Sequence, residues 1–219
     1  MTTTTRYGYI AFEGLIGVGK STLARRVAKD LDARLIMEEF DDNPFLPRFY
    51  EDQRRYAFSV ELSFLAQRYH QLKKVSERDL FHNCTVADYS IGKSLVFARV
   101  TLPPDEYALF LDLYSIMYAG LPRPDLLVYL HMGMDQIRAR IRTRGRGYEQ
   151  NIEADYLVQL QERYLDHLQK LPGTRVLVVE VNGLDLREDP HAYARFMSLL
   201  EDEVEPGFHV KALSSTGRL

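Results

Sequence analysis

Short apolar runs alternate with longer helical patterns along most of the chain. Five runs, at 7–12, 34–37, 84–87, 126–131 and 176–181, are nearly continuous in apolar residues rather than alternating with polar ones. Strands buried on both faces of a parallel sheet read this way. Between them the pattern predicts helices over 22–31, 54–78, 105–119, 135–143, 153–171 and 191–203. Gly120-Leu121-Pro122 and Pro124 stop the third of these, and Asp189-Pro190 starts the last. Within 54–78, Ala57, Val60, Leu62, Phe64, Leu65, Tyr69 and Leu72 form a broad stripe rather than one clean face. This alternation predicts an α/β fold, a doubly wound five-stranded parallel sheet flanked by helices. No repeat, linker or shift of composition divides the chain, so one domain is expected over 1–205. Residues 206–219 are polar and irregular and are expected to form a mobile tail.

The first apolar run leads into Gly14-Leu15-Ile16-Gly17-Val18-Gly19-Lys20-Ser21-Thr22, a G-x-x-x-x-G-K-S spacing between a strand and a helix. The glycines let successive backbone N–H groups wrap around phosphate oxygens, and the helix start adds unsatisfied donors and partial positive charge. Lys20 can reach the β- and γ-phosphates, and the Ser21 hydroxyl can ligate Mg²⁺. Gly14 to Thr22 are therefore the expected seat of a nucleoside triphosphate. A chance glycine turn would not combine this spacing with this context.

Ligands of open α/β sheets bind at the carboxyl ends of the strands. The second run ends there in Glu38-Glu39, where a carboxylate can take a proton from an attacking hydroxyl. With Asp41 and Asp42 following, a solvated acidic turn is the plainer alternative. The third run ends in Asp88-Tyr89-Ser90, and Asp88 suits either a Mg²⁺-organising carboxylate or a helix cap. Arg138, Arg140, Arg142, Arg144 and Arg146 crowd into one segment that Gly145 and Gly147 interrupt. That break favours a lid over a solvated helix face, with guanidiniums closing over a transferring phosphoryl group.

The 219 residues suffice for one sizeable core, and 46% hydrophobic with 27% charged residues is ordinary for a globular protein. A net charge of −3 offers no global attraction to duplex nucleic acid or an anionic membrane, so neither partner is expected. The single Cys84 excludes an internal disulfide, no apolar stretch reaches spanning length, and residues 1–6 lack a secretory core. A cytoplasmic enzyme is expected.

Taken together, these residues resemble the deoxyribonucleoside kinase family, the deoxycytidine, deoxyguanosine and deoxyadenosine kinase group, across about residues 7–200. The telling pieces are the phosphate loop, Asn43-Pro44-Phe45 with Phe49-Tyr50-Glu51, the helix 58–71, and Arg144-Gly145-Arg146-Gly147-Tyr148-Glu149-Gln150. The chain looks nearest to bacterial purine deoxynucleoside kinases. The resemblance implies a P-loop kinase with an arginine-rich lid, ATP as donor, Mg²⁺ near Ser21 and Asp88, and a homodimer. It makes Glu38, five residues before Asn43, the base for the sugar 5′-hydroxyl. Tyr50 and Glu149 become the pair at the 3′-hydroxyl, Arg140, Arg144 and Arg146 the lid arginines, and Arg68 an arginine near the nucleobase. Asp185, in Gly183-Leu184-Asp185-Leu186, matches a family loop near the donor base.

Two departures stand out. Relatives commonly carry Asp/Glu-Arg-Ser after the third strand, whereas this chain has Asp88-Tyr89-Ser90, so that arginine's role is vacant or passes to Lys93 or a lid arginine. Many relatives have glutamine where Glu61 stands. An ionised glutamate only accepts hydrogen bonds, which suits the N1–H and amino group of guanine, or one amino group with Arg68 serving an acceptor. The resemblance leans instead to deoxyadenosine, with deoxyguanosine next. The expected reaction is transfer of the ATP γ-phosphate to the 5′-hydroxyl of a purine deoxynucleoside. A nucleoside monophosphate kinase, such as a thymidylate kinase, is the alternative enzyme, but it needs a cationic acceptor site that Glu38 and Glu149 would oppose. A nucleotide-dependent switch is disfavoured because a guanine-reading Asn-Lys-x-Asp motif is absent.

Overall fold

The computed structural model describes residues 5–39, 43–76 and 81–213. Six strands, β1 (Tyr9–Gly14), β2 (Arg34–Ile36), β3 (Thr85–Ala87), β4 (Leu126–His131), β5 (Arg175–Glu180) and β6 (Gly207–Ala212), form one sheet. Their order is β2-β3-β1-β4-β5-β6 and every neighbouring pair is parallel. Among the described residues the helices are α1 (Lys20–Asp30), α2 (Leu46–Glu51), α3 (Gln53–Lys73), α4 (Lys93–Thr101), α5 (Pro104–Tyr118), α6 (Met134–Arg144), α7 (Ala154–Gln169) and α8 (Pro190–Glu201). A 3-10 turn at Gly147–Asn151 joins α6 to α7.

The apolar runs are the core. All six residues of β1 are buried, and so are the first five of β4. β1 stands at the centre with β3 on one side and β4 on the other, so the winding reverses direction there. A crevice opens past the strand ends at such a reversal. The loop leaving β1 must bend tightly over its neighbour. Gly14 sits opposite Leu130 at φ 143°, and a Cβ there would lie 2.7 Å from the Leu130 carbonyl oxygen.

Three expectations need correction. The sheet has a sixth strand, because residues 207–212 pair in register with β5 instead of forming an irregular tail. Residues 214–219, the end of that expected tail, lie outside the described residues, as do 77–78 of the expected long helix and 41–42 of the acidic turn. Helices α2 and α4 have no counterpart among the predicted ones. The broad stripe on α3 has a simple cause: this helix packs against α2, α4 and α5 at once. It therefore buries charged as well as apolar side chains, Glu61 and Arg68 among them.

Candidate active site

One cleft of about 1070 Å³ opens at the carboxyl ends of the central strands. Residues 16–22 of the phosphate loop line its floor. Gly17 at φ 84° and Gly19 at φ 104° supply left-handed turns that residues with side chains rarely adopt. Gly14 and Leu15 lie beneath the lining, and their carbonyls accept hydrogen bonds from Lys20 Nζ at 2.7 and 3.0 Å. Burial brings the Lys20 ammonium down to about 8, and the nearby Lys93 charge pushes the same way.

Glu38 follows β2 and faces this loop. Its Oε1 accepts from Arg68 Nε at 2.9 Å and Nη2 at 2.7 Å, and its Oε2 accepts from Lys93 Nζ. Burial alone would raise its pKa, but Lys93 and Arg68 outweigh that and hold the carboxyl at about 2. Glu38 is therefore a carboxylate at any working pH. Its backbone N–H donates to Asp88 Oδ1 at 2.7 Å, so the end of β3 fixes the end of β2. Asp88 does not cap α4, whose start at Gly92 has no side-chain cap.

Arg68 lines the cleft, but its guanidinium is engaged by Glu38 and, through Nη1, by Ser94 Oγ at 2.7 Å. Tyr89 is buried and its hydroxyl donates to Gln71 Oε1 at 2.5 Å, away from Glu38. Of the possibilities left open for the missing family arginine, Lys93 is the one that touches Glu38.

Also in the cleft, Glu61 is 3% exposed and its Oε1 accepts from Thr101 Oγ1 at 3.1 Å. The same hydroxyl lies 3.0 Å from the Phe97 carbonyl, so its one hydrogen serves two acceptors. Burial pushes the Glu61 carboxyl up to about 7, against the pull of Arg68. Helix α2 packs against the 147–151 turn, which puts Tyr50 and Glu149 on one wall of the cleft. Glu149 is 5% exposed, burial raises its pKa, and its Oε2 has no hydrogen-bond partner.

The three arginines expected to form a lid, Arg140, Arg144 and Arg146, all line the cleft but differ in their partners. Arg144 and Arg146 reach Glu149 Oε1 at 3.7 and 3.2 Å. Arg140 instead donates to the Val18 carbonyl and the Leu184 carbonyl, each at 2.9 Å, tying the phosphate loop to the segment after β5. Asp185 lies at that edge of the cleft, with its carboxylate taken up by Arg187 at 2.6 Å.

Among the described residues no group of three or more acidic, histidine or cysteine side chains could hold a metal ion. A cation here would be one that phosphates carry in, with one or two protein oxygens. Ser21, in the lining, fits that limited part, whereas Asp88 is buried just past β3 with one oxygen committed to Glu38 and is not among the lining residues.

Several contributors have no motif to betray them. Thr101 and Ser94 lie on the unexpected α4, and Phe64, Phe97 and Tyr156 form apolar walls. Glu13, 1% exposed in β1, accepts from Ser90 N at 2.8 Å, Ser90 Oγ at 2.7 Å and Tyr164 Oη at 3.1 Å.

A sequence model described as deoxynucleoside kinase matches residues 10–205. The chain belongs to the deoxynucleoside kinase family. It is 35% identical over 182 residues to the deoxyguanosine kinase of Bacillus subtilis (strain 168), covering 81% of this chain and 88% of that protein. It is 31% identical over 191 residues to the deoxyadenosine/deoxycytidine kinase of the same organism, covering 84% and 87%. In fold it is similar to the deoxyadenosine kinase of M. mycoides with bound dATP, at a TM-score of 0.73 and 23% identity, covering 87% of this chain and 97% of that one. As a deoxynucleoside kinase the chain is an ATP-dependent phosphotransferase acting on a small-molecule acceptor. No helix among the described residues is long and apolar enough to cross a membrane.

Proposed function

We propose that this kinase transfers the γ-phosphoryl group of ATP to the 5′-hydroxyl of a purine deoxynucleoside, with deoxyguanosine preferred and deoxyadenosine second. One observation carries the reading: the acceptor end of the cleft holds three carboxyl groups, the buried Glu61 and Glu149 and the partly buried Glu38. Carboxyl groups favour an acceptor rich in hydroxyl and N–H donors, and the cations beside them, Arg68 and Lys93, are already engaged by Glu38 rather than left for an acceptor phosphate. This argues against a nucleoside monophosphate kinase.

Each carboxylate then has a task. Glu149, with an unsatisfied oxygen, takes the 3′-hydroxyl together with Tyr50. A 2′-hydroxyl is disfavoured by packing near Tyr50. Glu38, ionised and clamped, accepts the 5′-hydroxyl and aligns its oxygen toward the donor. Transfer proceeds through a loose transition state, so the hydroxyl needs alignment first and gives up its proton late. Lys20 and the backbone amides of residues 14–22 hold the donor phosphates. The lid arginines meet the charge on the transferring group, Arg144 and Arg146 after leaving Glu149. When bound with ATP, Mg²⁺ near Ser21 would neutralise the phosphates. The base preference rests on Glu61: as a carboxylate it accepts from both N1–H and the 2-amino group of guanine, whereas adenine presents an acceptor beside its donor. This chemistry outweighs the lean toward deoxyadenosine; the similar proteins include deoxyguanosine and deoxyadenosine kinases alike.

A homodimer and a cytoplasmic location belong to the same proposal. Leu109, Leu111 and Ile116, exposed on α5, support the former. Initial rates of the purified protein with ATP and each of the four deoxynucleosides test the function. Purine turnover led by deoxyguanosine is expected, and turnover of pyrimidines or of monophosphates alone overturns it.

A further inference from the structure

Lys93 is the charged group that this scheme leaves without a task. It opens α4, lines the cleft, and its side chain is 10% exposed, with Nζ on Glu38 Oε2 and 5.4 Å from the centre of the Phe97 ring. Arg68 alone already fixes Glu38 through two hydrogen bonds to Oε1. A second buried cation is more than orientation requires.

We propose that Lys93 passes its charge along the reaction, pairing with Glu38 before phosphoryl transfer and with the transferred phosphoryl group after it. The proposal rests on Glu38 being the group that receives the 5′-hydroxyl. In the transfer, the O5′–H bond breaks and its proton goes to Glu38, while O5′–Pγ forms. The bond from Pγ to the bridging oxygen breaks, and its electron pair leaves on ADP. Lys93 takes no part in the path of the proton. Once Glu38 is protonated, the buried ammonium has lost its counter-charge, which a low-dielectric site does not tolerate. The new phosphate ester grows from the oxygen that was hydrogen-bonded to Glu38, so negative charge reappears within reach of Nζ. The ammonium follows it.

Other groups around Lys93 agree with this. Glu38, at the end of β2, pairs with it directly, Arg68 on α3 shares that Glu38 partner, and the charge of Lys93 is felt by Glu61 on α3, Glu13 on β1 and Lys20 on α1. Lys20 and Lys93 both line the cleft, and the charge of Lys93 is felt at Lys20. Lys20 meets the phosphoryl group from the donor side and Lys93 from the acceptor side.

The test compares Lys93→Met and Lys93→Arg with the native enzyme, using the deoxynucleoside it turns over fastest and the corresponding 5′-monophosphate. Lys93→Met should lower kcat by about 100-fold or more. It should leave deoxynucleoside affinity nearly unchanged in calorimetry and weaken the monophosphate by about tenfold or more. Losing this cation also lets the Glu38 carboxyl rise, so the acid limb of the kcat/KM profile should move to higher pH. Lys93→Arg should restore the acid limb and much of the monophosphate affinity. Native kcat in Lys93→Met, or equal weakening of nucleoside and monophosphate, overturns the proposal. If circular dichroism shows Lys93→Met unfolded, Lys93→Gln is read by the same criteria. A native enzyme that prefers a pyrimidine would overturn the purine reading and leave this test intact.

Discussion

Glu61→Gln should invert the base preference, and the geometry sets its size. In the native site Glu61 is buried, shares the Thr101 hydroxyl with the Phe97 carbonyl, and has its carboxyl pushed up to about 7. Above that pH it is a double acceptor suited to guanine. Below it, the protonated acid donates through one oxygen and accepts through the other, as adenine requires. The sign follows directly: kcat/KM for deoxyguanosine should rise through pH 7 as that for deoxyadenosine falls, because kcat/KM reports the free enzyme. Lys20 titrates near 8 but serves both substrates equally, so it cancels from their ratio. Glutamine loses one charge-assisted hydrogen bond to guanine and turns a donor on a donor. At about 1.5–3 kcal/mol for that bond, deoxyguanosine should lose about 10- to 100-fold in kcat/KM. At pH 8 only about a tenth of native Glu61 carries the proton that adenine needs, so glutamine should raise deoxyadenosine turnover about tenfold. Initial rates of ADP formation for both nucleosides, from pH 6 to 9, measure all of this. A native ratio that is flat with pH, or a ratio that Glu61→Gln leaves unchanged, refutes the reasoning.

Glu38→Gln should keep deoxynucleoside affinity in calorimetry and lower kcat by about 10²- to 10⁴-fold in steady-state assays, since the proton acceptor is gone. Glu149→Gln should weaken the native nucleoside and erase most of its advantage over the 2′,3′-dideoxy analogue, as competition assays would show. Gly14→Ala drives a Cβ against the unyielding Leu130 carbonyl at 2.7 Å, so thermal unfolding should begin at lower temperature and ATP affinity should fall.

Much of this was legible from residue order alone, because β1 and β4 are buried on both faces and read as unbroken apolar runs. The phosphate loop was legible because its chemistry demands glycine, lysine and serine at set spacings. Helix α4 escaped notice for the opposite reason. Its sequence, KSLVFARVT, carries valine and threonine and no single apolar face, since it is covered by α3, α5 and α7. With it went Ser94 and Thr101, whose roles come from tertiary placement. β6 was missed because GFHVKA is only half-buried at a sheet edge and lacks the hydrophobic run of the central strands. Glu38 could be told from Glu39 by resemblance, but its double clamp could not, as Arg68 and Lys93 lie 30 and 55 positions away.

Glu13 has a consequence for how the enzyme moves. Through Ser90 and Tyr164 this one carboxylate rivets the first strand to the corner after β3 and to the middle of α7, beneath both nucleotide seats. The floor is thereby a single rigid plate, on which donor and acceptor keep a set spacing whichever arrives first. The flank formed by α6 and residues 147–151 is held differently: its arginines grip carbonyls and one glutamate at the surface of the cleft, so the proposed lid closure would leave the floor unmoved.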